Sequence, residues 1–355
     1  MNNLKKMQSI LSEGKVDALL LTSQVSRHYA AGYDVAEGVA VIGREKSFYF
    51  TDSRYIEVAQ NELQGFAVLE INGEHSYSAR INAALEELGA RTLGIEEDYL
   101  THSEYLRYET SLHAELVPCQ KEISAFRQIK EDWEIEEMVK AQEITDLVFA
   151  EMCTVLKPGM TEKEAAAELI YRLLKHGADG LSFDPIVVSG PNTSKPHGVP
   201  GDRKLEYGDF VTMDFGCTVN GYCSDMTRTV ALGFVSEEMS KVYETVLRAQ
   251  ESAIAMTKAG VTGQEVDGTA RKIITDAGYG PYFGHGYGHS VGLEIHEAPN
   301  CNARNDQPLP AGVVCSAEPG IYLPGKFGVR IEDVVVVTED GCRDLTRSPK
   351  NLIIL

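Results

Sequence analysis

Basic residues are scarce in this chain of 355 residues: 33 Lys and Arg stand against 53 Asp and Glu, a formal net charge of -20. Such a surplus repels phosphate backbones and anionic lipid, which argues against nucleic-acid and membrane partners. Long apolar runs are missing too. Near the N-terminus the only such run, Ala18–Leu21, is too brief for a signal-peptide core and far too brief to span a bilayer, so the expected location is the cytoplasm. Cysteine pairing has no sequence support: the seven cysteines are odd in number, scattered and free of any C-x-x-C pair, against a disulfide framework or a thiolate zinc site. Low-complexity tracts and long flexible linkers are likewise lacking. What the chain does have is core material, with 43% hydrophobic residues, enough for one or two packed domains.

The first third alternates short β-like runs with helical stretches. Asp17–Thr22, Val39–Ile42, Ser47–Thr51, Ala67–Ile71, Thr92–Ile95 and Glu115–Val117 read as strands, and Ser53–Asn61 and Ser78–Leu88 have helical composition. This pattern predicts a small α/β domain over residues 1–122. From residue 123 to 355 the texture changes. A charged amphipathic stretch from Glu131 to Leu156 is stopped by Lys157-Pro158-Gly159, and the next helix opens on the capping box Thr161-x-x-Glu164. Strand-like sequence follows at Pro185–Ser189 and Phe210–Leu232. Helices return at Ser236–Lys258 and behind a second capping box, Thr262-x-x-Glu265, before strand-like sequence over Val313–Val337. Residues 123–355 thus read helix, helix, strands twice over, a repeat in secondary structure rather than in sequence.

The most informative segment runs from Phe210 to Val230. Asn220-Gly221 between two β-rich runs is a strong hairpin signal, because both central residues of a type I′ turn need positive φ. A two-residue turn there places Asp214 opposite Thr227, and Asp225 on the same face, diagonal to Asp214. Diagonal neighbours lie roughly 7–8 Å apart, close enough for two carboxylates to share cations. Two like charges on one buried face cost several kcal/mol unless something positive lies between them.

A second carboxylate pair suggests what that is. Glu318, in Ala317-Glu318-Pro319-Gly320, and Glu332, in Val329-Arg330-Ile331-Glu332-Asp333, each end β-rich sequence in another expected hairpin. Alternation puts Glu332 on the inward face with Val334 and Val336, and Arg330 on that face is available as its salt-bridge partner. Three of the nine histidines fall in Gly284-His285-Gly286-Tyr287-Gly288-His289-Ser290-Val291-Gly292-Leu293-Glu294-Ile295-His296-Glu297, where glycines let backbone approach a ligand. Other motif readings of this stretch fail. His296-Glu297 lacks the second His of a zincin helix, since position 300 is Asn300. Gly284, Gly286 and Gly288 miss the dinucleotide spacing by one residue. Gly288-His289-Ser290-Val291-Gly292 matches a nucleophile elbow, but the only histidine after Ser290 is His296, too soon for an intervening acid.

Asp214, Asp225, His289, Glu318 and Glu332, in that order and in those local motifs, resemble the pita-bread metallopeptidases, and within them the Xaa-Pro peptidases, the aminopeptidase P and prolidase group. The resemblance covers nearly the whole chain. It implies an α+β protein: a pita-bread catalytic domain of two pseudo-symmetric halves over residues 123–355, behind a smaller α/β creatinase-type domain over residues 1–122. It further implies that Asp214 binds one metal, that Asp225 and Glu332 bridge two, and that His289 and Glu318 complete the second. His197, in Lys195-Pro196-His197-Gly198, and His296 resemble the family's further active-site histidines, and Arg330 the arginine beside the last ligand. A homodimer is the assembly the family suggests.

The chemistry of the residues agrees. Four carboxylates and two divalent ions cancel in charge, with His289 neutral. An oxygen-rich set with one imidazole favours Mn²⁺, Co²⁺ or Fe²⁺ over zinc, without excluding zinc. The expected activity is cleavage of the Xaa-Pro bond of peptides or dipeptides by a metal-bridging hydroxide, formed as the water pKa falls from about 15.7 toward about 7. Glu318 is the expected proton acceptor, His296 an oxyanion donor and His197 an orienting group. The proline-containing peptide is the expected partner. Two alternatives remain on this scaffold: an aminopeptidase of other N-terminal specificity, and a non-catalytic binding module, whose known relatives have lost ligands that this chain keeps.

Overall fold

The computed structural model describes residues 3–12 and 14–355. The chain divides into two compact units, Met1–Arg127 and Gln128–Leu355. The first is built on a mixed six-stranded sheet in the spatial order Phe66–Glu70, Ser47–Thr51, Val39–Ile42, Ala18–Leu21, Thr92–Ile95, Glu115–Pro118. Ala18–Leu21 pairs antiparallel with Val39–Ile42 and parallel with Thr92–Ile95. These central strands are apolar at nearly every position because helices cover the sheet. The helices Asn3–Ser12, Gln24–Ala31 and His102–Ser111 add to the expected ones. Two of these three carry local start signals, Ser23 capping Gln24–Ala31 and a Thr101/Glu104 capping box before His102–Ser111.

The second unit repeats one plan. Asp132–Val155 and Glu162–Lys175 back the sheet Met226–Ala231, Phe210–Phe215, Ile186–Ser189; Glu237–Met256 and Gly263–Asp276 back the sheet that holds Val314–Ala317 and Asp333–Val337. Both expected capping boxes form, each with mutual side-chain to backbone bonds. The correspondence extends to the loops: Thr161 bridges to Lys204 and Thr262 to Pro308, and Gly159 and Gly260 donate to Leu205 and Leu309. Each half has its own core. Val211, Met213 and Phe215 point into one, and Ile321, Val329 and Ile331 into the other. Fully burying such side chains contributes about 1.5–3 kcal/mol each.

The first hairpin has the expected register: Asp214 faces Thr227, and Asn220 and Gly221 have φ of 49° and 79°. It is not continuous, however. At Gly216 the backbone carbonyl of Ser224 lies 1.9 Å from where a Cβ would stand, so only glycine fits. There the ladder breaks, and Cys217–Val219 with Tyr222–Cys223 joins a different sheet. The second hairpin breaks in the same way. Ala317 pairs with Asp333 and Gly320 with Arg330, in two separate sheets, leaving Glu318 opposite Glu332 at the gap. Three of the four expected metal-binding carboxylates therefore sit where the backbone leaves a ladder and side chains converge.

All seven cysteines are free thiols. Among the described residues no helix is long and apolar enough to cross a membrane.

Candidate metal centre

The two hairpins meet through their backbones. Glu332 N–H donates to Thr227 O at 3.1 Å, and the Thr229 hydroxyl donates to Arg330 O at 3.0 Å. This contact brings the carboxylates of both halves into one cavity of about 550 Å³. Asp214, Asp225, His289, Glu318, Glu332 and Arg330 line it, with His197, His285 and His296.

Ligand atoms of Asp225, His289 and Glu332 all lie within 4.8 Å of one another. His289 Nε2 is 3.3 Å from Glu318 Oε1 and 3.7 Å from Asp225 Oδ2. Its Nδ1 faces the Ser290 carbonyl at 3.2 Å. A carbonyl can only accept, so in the neutral ring Nδ1 carries the proton and the Nε2 lone pair points at the carboxylate oxygens. Lone pair against anion is repulsive unless a cation stands between them. Burial, the largest influence, holds the His289 pKa below its usual value, which works against protonation as the remedy.

The carboxylates report the same need. Asp225 Oδ1 and Asp214 Oδ1 are buried without a hydrogen-bond partner. Burial first, then the charges of Asp214 and Glu318, push Asp225 well above the carboxylate range; burial and Asp225 do so for Glu332. Burial raises Glu318 to about 7. An oxygen-rich set with one imidazole, short of positive charge and holding orphaned oxygens, fits divalent cations.

Arg330 departs from expectation. Its guanidinium pairs with Asp214, not with Glu332. Glu332 instead accepts from the Thr227 hydroxyl at 2.7 Å, and Thr227 in turn accepts from Arg330 Nε at 3.0 Å. The reason is the ladder gap: Glu332 stands outside the strand Phe327–Arg330, so simple alternation does not carry through to it. Arg330 also donates to the Tyr322 hydroxyl at 2.8 Å, which lies 2.9 Å from His285 Nε2. Burial and the nearby guanidinium hold His285 down to about 4, so the ring is neutral and Tyr322 donates to it. Thr227, Tyr322 and His285 have no role in the reading from sequence, although His285 lies in the histidine-rich stretch. Thr227 had a signal, its place opposite Asp214; Tyr322 had none.

The two remaining histidines stand at the cavity. The His296 ring meets that of His289 edge to face, with centroids 4.3 Å apart. Desolvation at the cavity, the largest influence, lowers its pKa, which keeps it neutral near pH 7. His197 is exposed at the mouth.

A buried carboxylate and imidazole cluster in a cavity between two matching hairpins defines a metal-dependent hydrolase of the two-halved kind. Residues 136–339 match the model of metallopeptidase family M24, and residues 3–129 that of the creatinase/prolidase N-terminal domain. The chain belongs to family M24 and is a metallopeptidase with the pita-bread fold. Among solved structures it is similar to the Xaa-Pro dipeptidase from Bacillus anthracis, at 41% identity over 99% of both chains with a TM-score of 0.95. It is similar to the X-Pro aminopeptidase from Thermotoga maritima, at 38% over 100% of both with a TM-score of 0.94. The Xaa-Pro dipeptidase of Pyrococcus furiosus is 36% identical over 99% of each.

Proposed function

We propose that this protein hydrolyses the bond between an N-terminal residue and proline, using two divalent cations held by Asp214, Asp225, His289, Glu318 and Glu332. The observation that carries this reading is the convergence of Asp225, His289 and Glu332 within 4.8 Å, beside two orphaned carboxylate oxygens. The names of its relatives supply the substrate class, since those of Bacillus anthracis and Thermotoga maritima are both Xaa-Pro peptidases. Mn²⁺ is the first candidate ion for this hard donor set, followed by Co²⁺, Fe²⁺ and Zn²⁺. When bound, such ions supply Lewis acidity that brings a water's pKa toward about 7.

The chain's own groups do the rest. Glu318 accepts the proton of the attacking water and passes it to the proline nitrogen as the C–N bond breaks. Neutral His296 donates to the carbonyl oxygen as negative charge grows there. Arg330 holds Asp214 in place through a charge-assisted bond, and His197 at the mouth orients the proline side of the substrate. Proline needs such a dedicated site because its amide lacks an N–H and its φ is fixed. A cytoplasmic homodimer belongs to the same proposal, and sedimentation tests the dimer.

The test compares metal-free and Mn²⁺-loaded protein on Ala-Pro and on a longer Xaa-Pro-Yaa peptide. Activity that appears only with metal supports the reading, and the better substrate separates dipeptidase from aminopeptidase. A fully loaded enzyme that cleaves neither would sink it.

A further inference from the structure

We propose that Glu162 is a positioning residue, a clasp that closes the base of the loop carrying His197 and so sets where that imidazole stands; this rests on the active site proposed above. Glu162 opens the helix Glu162–Lys175 and is 0% exposed. The helix does not need it as a cap, since Thr161 and Glu164 already form the capping box. Its carboxylate turns instead to the two ends of the loop. Oε1 accepts from Ser189 N–H at 2.8 Å, from the Ser189 hydroxyl at 3.0 Å and from Asn192 Nδ2 at 3.0 Å, all where the loop departs. Oε2 accepts from Gly201 N–H at 3.0 Å, where the loop returns. The helix backbone fastens the same end, with Glu162 N–H on Arg203 O at 3.0 Å and Lys163 N–H on Gly201 O at 3.1 Å.

Between these ends, residues 195–203 form neither helix nor strand. His197 is exposed, and among the described residues its ring has no hydrogen-bond partner. Nothing on the side chain itself holds it at the cavity, so its position is inherited from the backbone. That backbone is fixed at the ends by Glu162 and at the cavity side by Arg330, which donates to Pro196 O at 3.2 Å. A buried carboxylate is costly unless its oxygens are satisfied, and here four donors from both loop ends satisfy it. Glu162 itself bonds to none of the proposed metal ligands, so its loss acts on the site only through the loop.

The test uses the full-length, Mn²⁺-loaded protein with Glu162→Gln, which sets an NH₂ donor against the Gly201 N–H. Expected are amide exchange at Ser189 and Gly201 faster by about 10-fold or more and a kcat/KM on Xaa-Pro substrate lower by about 10-fold, as a misplaced orienting group would give. Mn²⁺ affinity should stay within about twofold, and in a His197→Ala background the same substitution should cost less than about twofold, because the loop then has nothing to position. An equal loss with and without His197, or a parallel loss of Mn²⁺ affinity, would overturn the proposal. If Glu162→Gln does not fold, Asn192→Ala removes one donor and should reproduce the pattern at smaller size; unchanged exchange and kcat/KM in that variant would also overturn it. If the loaded wild type cleaves no Xaa-Pro substrate, the functional reading fails separately, and the exchange measurement alone decides the clasp.

Discussion

Divalent ions should stabilise this protein strongly, and the size follows from the centre. Without a cation, Asp214 Oδ1 and Asp225 Oδ1 are buried and unpartnered, and the His289 lone pair faces carboxylate oxygens at 3.3 and 3.7 Å. A ligand that binds only the folded state contributes about 2.7 kcal/mol per site at 100 times its Kd. For a unit the size of Gln128–Leu355, each kcal/mol moves Tm by roughly 2–4 °C, so one filled site raises it by about 5–11 °C and a second adds to that. Differential scanning fluorimetry of chelator-treated protein across a Mn²⁺ series measures this. The shift should vanish in Asp225→Ala. No shift in the wild type, or an undiminished one in that variant, would refute the assignment of the cluster as a metal centre.

The same centre gives the shift a pH dependence of defined sign. Burial and mutual repulsion raise Asp225 and Glu332 well above the carboxylate range and Glu318 to about 7. A carboxyl raised in the folded state contributes stability at low pH that is lost as pH rises through its raised value. Metal-free protein should therefore lose stability as pH rises from about 4.5 through about 7 on account of Glu318, with Asp225 and Glu332 extending the loss upward. Cations must displace protons from these groups, so Mn²⁺ affinity should weaken as pH falls and the Tm shift should be larger at the upper end of that window.

Three further outcomes are expected. Thr227→Val removes the 2.7 Å donor to Glu332 and should weaken metal binding about 10–100-fold by calorimetry, with Thr227→Ser restoring it; equal affinity in the valine variant would exclude the role. Glu318→Ala should lower kcat by at least about 10²–10⁴-fold with the far-UV spectrum unchanged, and a folded, fully active variant would remove Glu318 from the chemistry. Lys130 Nζ sits 2.8 Å from Glu297 Oε2 with both side chains nearly inaccessible, so Lys130→Met should cost about 3–5 kcal/mol in denaturant unfolding. A loss below about 1 kcal/mol would show that the pair contributes little.

Much of the site was legible because its signals are local. Asn220-Gly221 requires positive φ, which sets a two-residue turn, which sets the register that brings Asp214 opposite Thr227. The two capping boxes announced the helices that back each half. The breaks were not legible. The strand-like run from Phe210 to Leu232 gives no warning at Ser224 and Asp225, because the interruption comes from the close approach of Ser224 O to Gly216, a contact across the hairpin. The helices Gln24–Ala31 and His102–Ser111 lie outside the stretches whose composition reads as helical, although Ser23 and Thr101 cap them.

Sequence by itself determined which residues are candidates for the chemistry and which of them share a face, since turn type, alternation and capping act between residues close in the chain. Tertiary structure alone decided their partners. Arg330 turned to Asp214 rather than Glu332, Tyr322 linked it to His285, and Glu162 reached Gly201. The first of these bonds joins the two halves and the others join separate segments within one half, and no periodicity along a single segment encodes such meetings.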